Sequence, residues 1–204
     1  MRLLLLRHGA TDWNLAGRCQ GATDLELNET GFRQAQQAAA SLSGEPIDAV
    51  YSSDLKRAVQ TARFISQPHG LTVTIDASLR ELDHGMLEGL TFEEIRASFP
   101  EFMRVWRSEP AEAPVPGGER LADVERRAWE GLSRIVERHG SEQTVVIVSH
   151  NFPILAVLCR ITGTPLNRYR SFQIDPCGIC QVLYHPVDRW QLVGVNGKEY
   201  SKPG

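Results

Sequence analysis

Short apolar runs alternate with polar, helix-forming stretches along most of the chain. Four of these runs are four to eight residues long and rich in aliphatic or β-branched side chains, which predicts buried strands. They are residues 3–6, 47–53, 71–76 and 144–149. Two further strands are predicted near 178–184 and 189–195.

Helices are predicted between the strands, from Ala, Gln and charged residues at helical spacing and from the Gly and Pro residues that bound them. Their approximate ranges are 30–42, 54–67, 92–106, 119–139 and 151–163. Asp54 is expected near the start of the second helix, where a carboxylate caps the helix and complements its dipole.

Strands that alternate with helices predict an α/β fold, a three-layer α/β/α sandwich around a mainly parallel sheet. Residues 84–118 fit this alternation least, because they combine an irregular loop, a helical stretch and a Pro-rich segment. We interpret them as a small helical cap inserted into a single domain that spans residues 1–204.

Composition narrows the classes of function. With 204 residues, 42% of them hydrophobic, the chain is long enough for one well-packed domain. A net charge of -3 argues against a nucleic-acid partner, for which a basic surface is expected. The apolar start is too short for a signal peptide, and no apolar run approaches the length of a membrane span. A soluble, cytoplasmic protein that does not bind membranes is therefore expected.

Two of the four cysteines, Cys177 and Cys180, form a CxxC motif. Such a motif serves as a redox pair, as half of a zinc site, or only in packing. No second CxxC and no closely spaced His pair accompanies it, and its segment is predicted to be a strand, where positions three apart point to opposite faces. The structural interpretation is favoured.

Charged residues follow two of the most apolar strands. The first strand ends in Arg7, His8 and Gly9, and the fourth ends in His150. Ligands bind at the carboxyl ends of the strands in open α/β sheets. If these two strands are neighbours, about 4.8 Å apart, their imidazoles face one another. Gly9 has no Cβ, which lets the backbone turn or approach a ligand closely.

The same sheet edge is expected to receive Arg57, from the helix after the second strand, and Glu81, from the loop after the third. Arginine matches phosphate oxygens in a bidentate manner, and the N–H groups of the helix that begins at Asn151 favour an anion. A neutral imidazole is a competent nucleophile toward phosphorus, and a carboxylic acid can protonate the leaving oxygen and later activate water. Metal-binding motifs such as HxH or HExxH do not occur in the sequence, so we expect chemistry without a metal or cofactor.

These residues lie in motifs that resemble those of the histidine phosphatase superfamily, which includes the cofactor-dependent phosphoglycerate mutases and many small phosphatases. The matching stretches follow the family order: "LRHGATDWN" (6–14), "GRCQGATDLELNETGFRQA" (17–35), "YSSDLKRAVQTA" (51–62), "LRELDHGMLEG" (79–89), "PGGE" (116–119) and "VVIVSHNFPI" (145–154). The resemblance implies the phosphoglycerate mutase-like fold and activity on small phosphomonoesters.

The resemblance also implies roles for individual residues. His8 is the phosphorylated nucleophile, and the phosphate pocket is formed by Arg7, Arg57 and His150. Asn14 contacts the phosphoryl group, and Glu81 is the proton donor. The substrate cavity is expected to be lined by Thr11, Gln20 and Gly21.

Several assignments have alternatives. Asp83 and Glu88 compete with Glu81 for the role of acid, but the position after "LR" in the family favours Glu81, and Glu88 is expected to support the loop. His84 is interpreted as an ordinary surface or packing histidine. Three aromatic residues are assigned to the core of the cap: Phe99, Phe102 and Trp106.

Three functions are considered. The leading hypothesis is a metal-independent phosphomonoesterase that works through a phosphohistidine, similar to the broad-specificity and alpha-ribazole phosphatases. The alternatives are a phosphoglycerate mutase and a non-catalytic regulator that binds phosphorylated ligands. The short chain, the "LRELDHGMLEG" motif and the absence of a glycine after His150 favour the phosphatase branch. The expected partner is a small substrate, and the apolar late strands offer an edge for a homodimer.

Overall fold

A computed structural model describes residues 1–187 and 189–201 and contains one central sheet. The strands are β1 (Arg2–Arg7), β2 (Ala49–Ser52), β3 (Val73–Ile75), β4 (Thr144–Ser149), β5 (Ile179–His185), β6 (Arg189–Val195) and β7 (Lys198–Glu199). Their order is β3-β2-β4-β1-β5-β6-β7. The first four in this order are parallel, and β5, β6 and β7 extend the sheet in antiparallel fashion. The parallel core is thus confirmed.

The predicted helices are present with ends that differ by at most two residues, and one short helix, Asp12–Leu15, was not predicted. The helices are α1 (Asp12–Leu15), α2 (Glu29–Leu42), α3 (Lys56–Ser66), α4 (Phe92–Ser98), α5 (Pro100–Ser108), α6 (Leu121–Glu137) and α7 (Asn151–Thr162). The single helix predicted over 92–106 is wrong, because it is divided at Phe99. A residue that precedes proline is disfavoured in the helical region, and Phe99 adopts φ -130° and ψ 57° before Pro100.

Successive leucines of β1 bury their side chains on opposite faces of the sheet. Leu3 and Leu5 belong to the core that includes α6 and α7, whereas Leu4 and Leu6 belong to the core that includes α2 and α3. A strand buried on both faces has to be apolar throughout. The three-layer sandwich is therefore confirmed.

The predicted cap segment, residues 84–118, contains α4 and α5 joined to irregular turns. Trp106 is buried there and packs against the rings of Phe102 and Phe152. Phe99 and Phe102 are partly buried against the same core. These aromatic residues are packing residues, as predicted, and the role of the segment as a cap stays a prediction.

The pairing of β1 with β4 determines where the two strand-end histidines lie. Arg7 is in register with Ser149, so His8 and His150 are the next residues of adjacent parallel strands. The His8 N–H donates to the Ser149 carbonyl at 3.0 Å. The sheet therefore brings the two imidazoles to one edge.

Gly9 makes a close backbone contact of a kind that the sequence did not indicate. A Cβ on Gly9 would lie 2.6 Å from the Gly31 carbonyl oxygen, and a Cβ on Gly31 would lie 2.1 Å from that of Ala10. The close approach that the structure shows is to the first turn of α2. The segment that follows His8 therefore packs tightly against the backbone of α2 at Gly31.

The expectation that Asp54 caps α3 is wrong. The N-cap residue is Leu55, which makes no side-chain capping hydrogen bond. The Asp54 carboxylate instead accepts hydrogen bonds from the Arg80 guanidinium, one of them at 2.6 Å. The first N–H group of α3, that of Lys56, donates instead to the Asp24 carboxylate at 2.7 Å.

Cys177 precedes β5 instead of lying in it. It occupies a turn with φ +58°, and its N–H donates to the carbonyls of Arg7 and His8 at 3.1 and 3.3 Å. All four cysteines, each within the described residues, are free thiols. Burial raises the pKa of both Cys177 and Cys180 to about 12, so both are protonated at neutral pH.

No helix in the described ranges is both long enough and apolar enough to cross a membrane.

Candidate active site

The His8 ring is buried, and one of its nitrogens is fixed by the backbone. Nδ1 lies 2.7 Å from the Gly9 carbonyl oxygen. Because a carbonyl can only accept, Nδ1 carries the hydrogen and Nε2 holds the free electron pair. Burial, together with the charges of Arg57 and Arg7, lowers the pKa of His8 well below 6.5. The ring is therefore neutral at neutral pH.

The His150 ring lies beside that of His8. The ring centroids are 5.0 Å apart and the planes are tilted by 59°. His150 is fully buried, and neither ring nitrogen hydrogen-bonds to any residue that the structure describes. Burial first, then the charge of Arg57, lowers its pKa well below 6.5.

Two buried guanidinium groups accompany the histidines. Arg57 donates to the carbonyls of Gly21 and Thr23, each at 2.8 Å, and Arg7 donates to the Ile174 carbonyl at 2.7 Å. The Nε atoms of both arginines are buried and have no partner within the described ranges. Leaving a buried charged donor unpaired costs on the order of 1–3 kcal/mol or more, so these groups are suited to an incoming anion.

The loop that carries the Gly21 and Thr23 carbonyls is held by Glu88. The Glu88 carboxylate accepts hydrogen bonds from the N–H groups of Ala22 and Thr23, at 2.6 and 2.9 Å, and from the Thr23 hydroxyl. Gly21 has φ +54°, and a Cβ there would lie 2.1 Å from a Glu88 oxygen. Glu88 thus supports the loop that carries the Arg57-binding carbonyls of Gly21 and Thr23, and not only its own loop, as the sequence analysis expected.

Glu81 is bound at the start of α7. Its Oε1 accepts the N–H groups of Leu82 and Phe152 at 2.9 and 3.1 Å, and its Oε2 accepts that of Asn151 at 3.1 Å. The first N–H groups of a helix attract a negative charge. The expectation that these groups are free to bind the phosphate is therefore wrong, because Glu81 occupies them.

A cavity of about 270 Å³ opens onto His8, the two arginines and Glu81, whereas His150, predicted to belong to the phosphate pocket, is fully buried and is not part of the lining. The lining includes the predicted residues Arg7, His8, Asn14, Gln20, Gly21, Arg57, Glu81 and Asn151. It also includes residues that the sequence analysis did not assign to it: Gly17, Arg18, Cys19, His84, Phe92 and Phe152. Of the three candidate acids, Glu81 lines the cavity, whereas Asp83 and Glu88 do not.

Thr11 does not line the cavity, so that expectation is wrong. Its side chain is fully buried, and its hydroxyl accepts the Asn14 N–H at 3.2 Å as the N-cap of α1. In return, Asn14 Oδ1 accepts the Thr11 N–H at 3.0 Å. Thr11 therefore fixes Asn14, whose Nδ2 group is the part of the side chain that can donate into the cavity.

His84 is a cavity residue that sequence reasoning missed. It is buried, and its ring packs edge-on against Phe152 with the centroids 5.4 Å apart. Burial lowers its pKa despite the opposing charge of Glu81. It lies three residues after Glu81 in an irregular loop, where no periodicity shows which way a side chain points.

The charges favour an anion over a cation. Burial lowers the pKa of both Arg7 and Arg57, and the Glu81 carboxylate partly compensates in each case. In residues 1–187 and 189–201, no three His, Cys, Asp or Glu side chains cluster as a metal site requires. The arrangement offers a neutral nucleophile, buried positive charge and one carboxylate.

Comparisons with known proteins place the chain in a family. The model of the histidine phosphatase superfamily (branch 1) matches residues 3–198. Phosphoserine phosphatase 1 of Hydrogenobacter thermophilus is 41% identical over 86% of this chain and 82% of that protein. Phosphoglycerate mutase-like protein 4 of Arabidopsis thaliana is 37% identical over 85% and 80%, respectively.

Among solved structures, a mycobacterial glucosyl-3-phosphoglycerate phosphatase in complex with VO3 superposes with a TM-score of 0.85. It is 34% identical, and the match covers 94% of this chain and 96% of that chain. With this family model over residues 3–198 and relatives of 41% and 37% identity over most of the chain, the chain belongs to the histidine phosphatase superfamily, branch 1.

Proposed function

We propose that the protein is a phosphomonoesterase that hydrolyses small phosphorylated metabolites through a phosphohistidine at His8, without a metal. One observation carries this proposal. His8, a neutral ring whose Nε2 has no hydrogen-bond partner among the described residues, lines one cavity together with Arg7, Arg57 and Glu81, and the His150 ring lies 5.0 Å from it. Preorganised donors of this kind stabilise the charge that develops on the oxygens of a phosphoryl group in transfer.

In the first step, His8 Nε2 attacks phosphorus, the N–P bond forms, and the bond from phosphorus to the ester oxygen breaks. Glu81, which enters this step in its protonated form, donates its proton to the departing oxygen and becomes the carboxylate. Oε1 of Glu81 already accepts two backbone N–H groups, whereas Oε2 accepts one, so Oε2 is the oxygen that carries the proton. The alcohol then leaves.

In the second step, a water molecule attacks the phosphohistidine. Glu81 takes a proton from this water, the N–P bond breaks, and inorganic phosphate leaves. His8 is regenerated with its free electron pair on Nε2, because the Gly9 carbonyl holds the proton on Nδ1 throughout.

The size of the cavity and the names of relatives support small metabolites as substrates. About 270 Å³ accommodates a phosphoryl group with a short leaving group. One relative is named a phosphoserine phosphatase, and one structural neighbour a glucosyl-3-phosphoglycerate phosphatase. The walls beyond the phosphate, with Arg18, His84 and Phe152, present both polar and apolar surface.

A panel of metabolite phosphomonoesters assayed in EDTA tests the proposal. The expected result is release of inorganic phosphate from one or more of them, with kcat/KM unaffected by the chelator. His8→Ala, which should remain folded, serves as the inactive control. Loss of activity in EDTA that a divalent cation restores, or failure to release phosphate from any monoester while still binding one, would contradict it.

A further inference from the structure

Arg127, on the face of α6 toward the loop that carries Glu81, uses every one of its donors. Its Nε and Nη2 donate to the two carboxylate oxygens of Glu119, each at 2.8 Å. Nη2 also donates to the Glu81 carbonyl at 2.8 Å, and Nη1 donates to the carbonyls of Ser78 and Arg80 at 2.8 and 2.6 Å. The five N–H groups of this guanidinium are thus all engaged.

The loop held in this way makes few regular backbone hydrogen bonds of its own. Between the carbonyls that Arg127 binds, the Leu79 carbonyl accepts the Ser149 hydroxyl at 2.7 Å. The four successive carbonyls of residues 78–81 are therefore all bound by side chains of α6 and β4.

Glu119 continues this support past Glu81. Its side chain accepts the Asp83 N–H at 3.1 Å, and its own N–H donates to the Asp83 carbonyl at 3.0 Å. The ion pair of Arg127 and Glu119 is mostly shielded from solvent, with 21% and 28% of the two side chains exposed. Burial alone would raise the pKa of Glu119, but the hydrogen bond and charge of Arg127 outweigh it and lower the pKa. The pair is charged at neutral pH.

Proton transfer requires the acid to lie within about 2.6–3.2 Å of the oxygen that it protonates. The α7 N–H groups fix the carboxylate of Glu81, but they do not fix the backbone from which it projects. A shift of about 1 Å in a reacting group can cost on the order of 100-fold in rate. Rigid attachment of residues 78–83 therefore has a direct consequence for catalysis.

We infer that Arg127, oriented by Glu119, is the positioning residue for the proton donor Glu81. This inference rests on the proposed function, because it assigns Glu81 the role of acid. It predicts that loss of Arg127 impairs the protonation of the leaving group more than the binding of the phosphate.

The test compares two substrates with different leaving groups. The leaving group of p-nitrophenyl phosphate hardly needs a proton, whereas that of glycerol phosphate does. For Arg127→Met, kcat/KM on glycerol phosphate is expected to fall about tenfold or more beyond any fall on p-nitrophenyl phosphate, mainly in kcat. Arg127→Lys, which cannot reproduce the planar fork, should lose activity in the same pattern.

Two further variants keep the test interpretable. Glu119→Gln removes the charge of the Arg127 partner but preserves its shape. We expect a smaller loss of kcat/KM than in Arg127→Met, with the same dependence on the leaving group. This variant serves as the test if Arg127→Met folds poorly. Arg126→Met is the matched control, because Arg126 is the adjacent residue, is exposed and pairs only with Asp123 among the described residues. It should match the wild type on both substrates.

The double variant Glu81→Gln/Arg127→Met decides whether Arg127 acts through Glu81. If it does, loss of Arg127 adds little once Glu81 has been replaced. Fully additive effects of the two substitutions on kcat/KM would overturn this inference but not the proposed function. Equal losses of kcat/KM on both substrates in Arg127→Met and Glu119→Gln would do the same. If Glu81→Gln itself loses activity equally on both substrates, the acid role of Glu81 in the proposed function also fails. The Glu81→Gln result therefore distinguishes failure of the proposed function from failure of the inference about Arg127.

Discussion

The imidazole of His150 lies 5.0 Å from that of His8, and both rings are buried beside two guanidinium groups. Burial and the neighbouring arginines lower both pKa values well below 6.5. Both rings are therefore neutral at pH 6.5, at which an exposed histidine is half protonated. This keeps the His8 electron pair available for attack, and it has a cost in stability at low pH.

The free energy of unfolding should decrease as pH falls from 7.5 to 5.5. Below the ordinary histidine pKa of 6.5 the unfolded chain binds protons that the folded rings of His8 and His150 resist, so acid favours unfolding. The limiting slope is about 1.4 kcal/mol per pH unit for each such histidine. Glu119 acts in the same direction only at lower pH, because stability from a lowered carboxyl pKa is lost below its ordinary value of 4.5.

Urea denaturation across this range measures the slope. His150→Gln, if it folds, removes one of the groups and should give a shallower slope. A free energy of unfolding that is constant or that increases as pH falls to 5.5 would contradict the assignment of buried, neutral rings.

Replacement of Glu81 by Gln should slow substrates with poor leaving groups far more than p-nitrophenyl phosphate. A general acid contributes on the order of 10²–10⁴-fold, and a phenolate leaving group hardly needs it. Steady-state kcat/KM on both substrates provides the measurement. Asp83→Asn is the control, since its side chain accepts only the Gly85 N–H among the described residues. A similar selective loss in Asp83→Asn would reassign the acid.

Replacement of Arg57 by Lys should lower kcat/KM by about 10²-fold or more. Arg57 donates to the Thr23 and Gly21 carbonyls through two separate nitrogens, and the single ammonium nitrogen of a lysine cannot reproduce this planar fork. Arg63→Lys is the matched control, because Arg63 is an exposed residue of the same helix. If Arg57→Lys retains about half of the wild-type activity, Arg57 does not belong to the phosphate pocket.

Water, and not a second alcohol, should be the usual phosphoryl acceptor. A mutase has to keep its phosphohistidine from water while its substrate reorients, which requires a closed site. A phosphatase passes its phosphoryl group to water instead, so the activity of this protein should not require 2,3-bisphosphoglycerate. Release of phosphate from 3-phosphoglycerate is compared with its conversion to 2-phosphoglycerate. Interconversion well above the rate of phosphate release would identify a mutase.

The sequence was sufficient to predict the sheet edge and most of the candidate site. Two apolar strands, each ending in a histidine, predict a shared carboxyl edge, and the register of Arg7 with Ser149 brings His8 and His150 together there. Arg57 and Glu81 join them because the loops after β2 and β3 end at the same edge. The strand pattern is a local feature that the sequence encodes, but the pairing of β1 with β4 joins distant segments, and the sequence analysis could state it only as a condition.

Contacts between distant segments could not be predicted. The carboxylate of Glu81 binds N–H groups 70 and 71 residues later in the chain, and Arg127 binds carbonyls 46 to 49 residues earlier. A local pattern does not determine such partners, which is why Asn151 was assigned to the phosphate. Thr11 was misplaced for a related reason, since a threonine before a helix serves equally well as a cap and as a ligand contact.

Rapid acid- or base-quenching of the protein with a ³²P-labelled phosphomonoester tests the central claim most directly. The wild type should carry label in an adduct that is acid-labile and base-stable, formed and hydrolysed within seconds or faster, and His8→Ala should carry none while remaining folded. Turnover by His8→Ala at the wild-type rate, or an equal amount of the same adduct in both proteins, would contradict the assignment of His8 as the nucleophile.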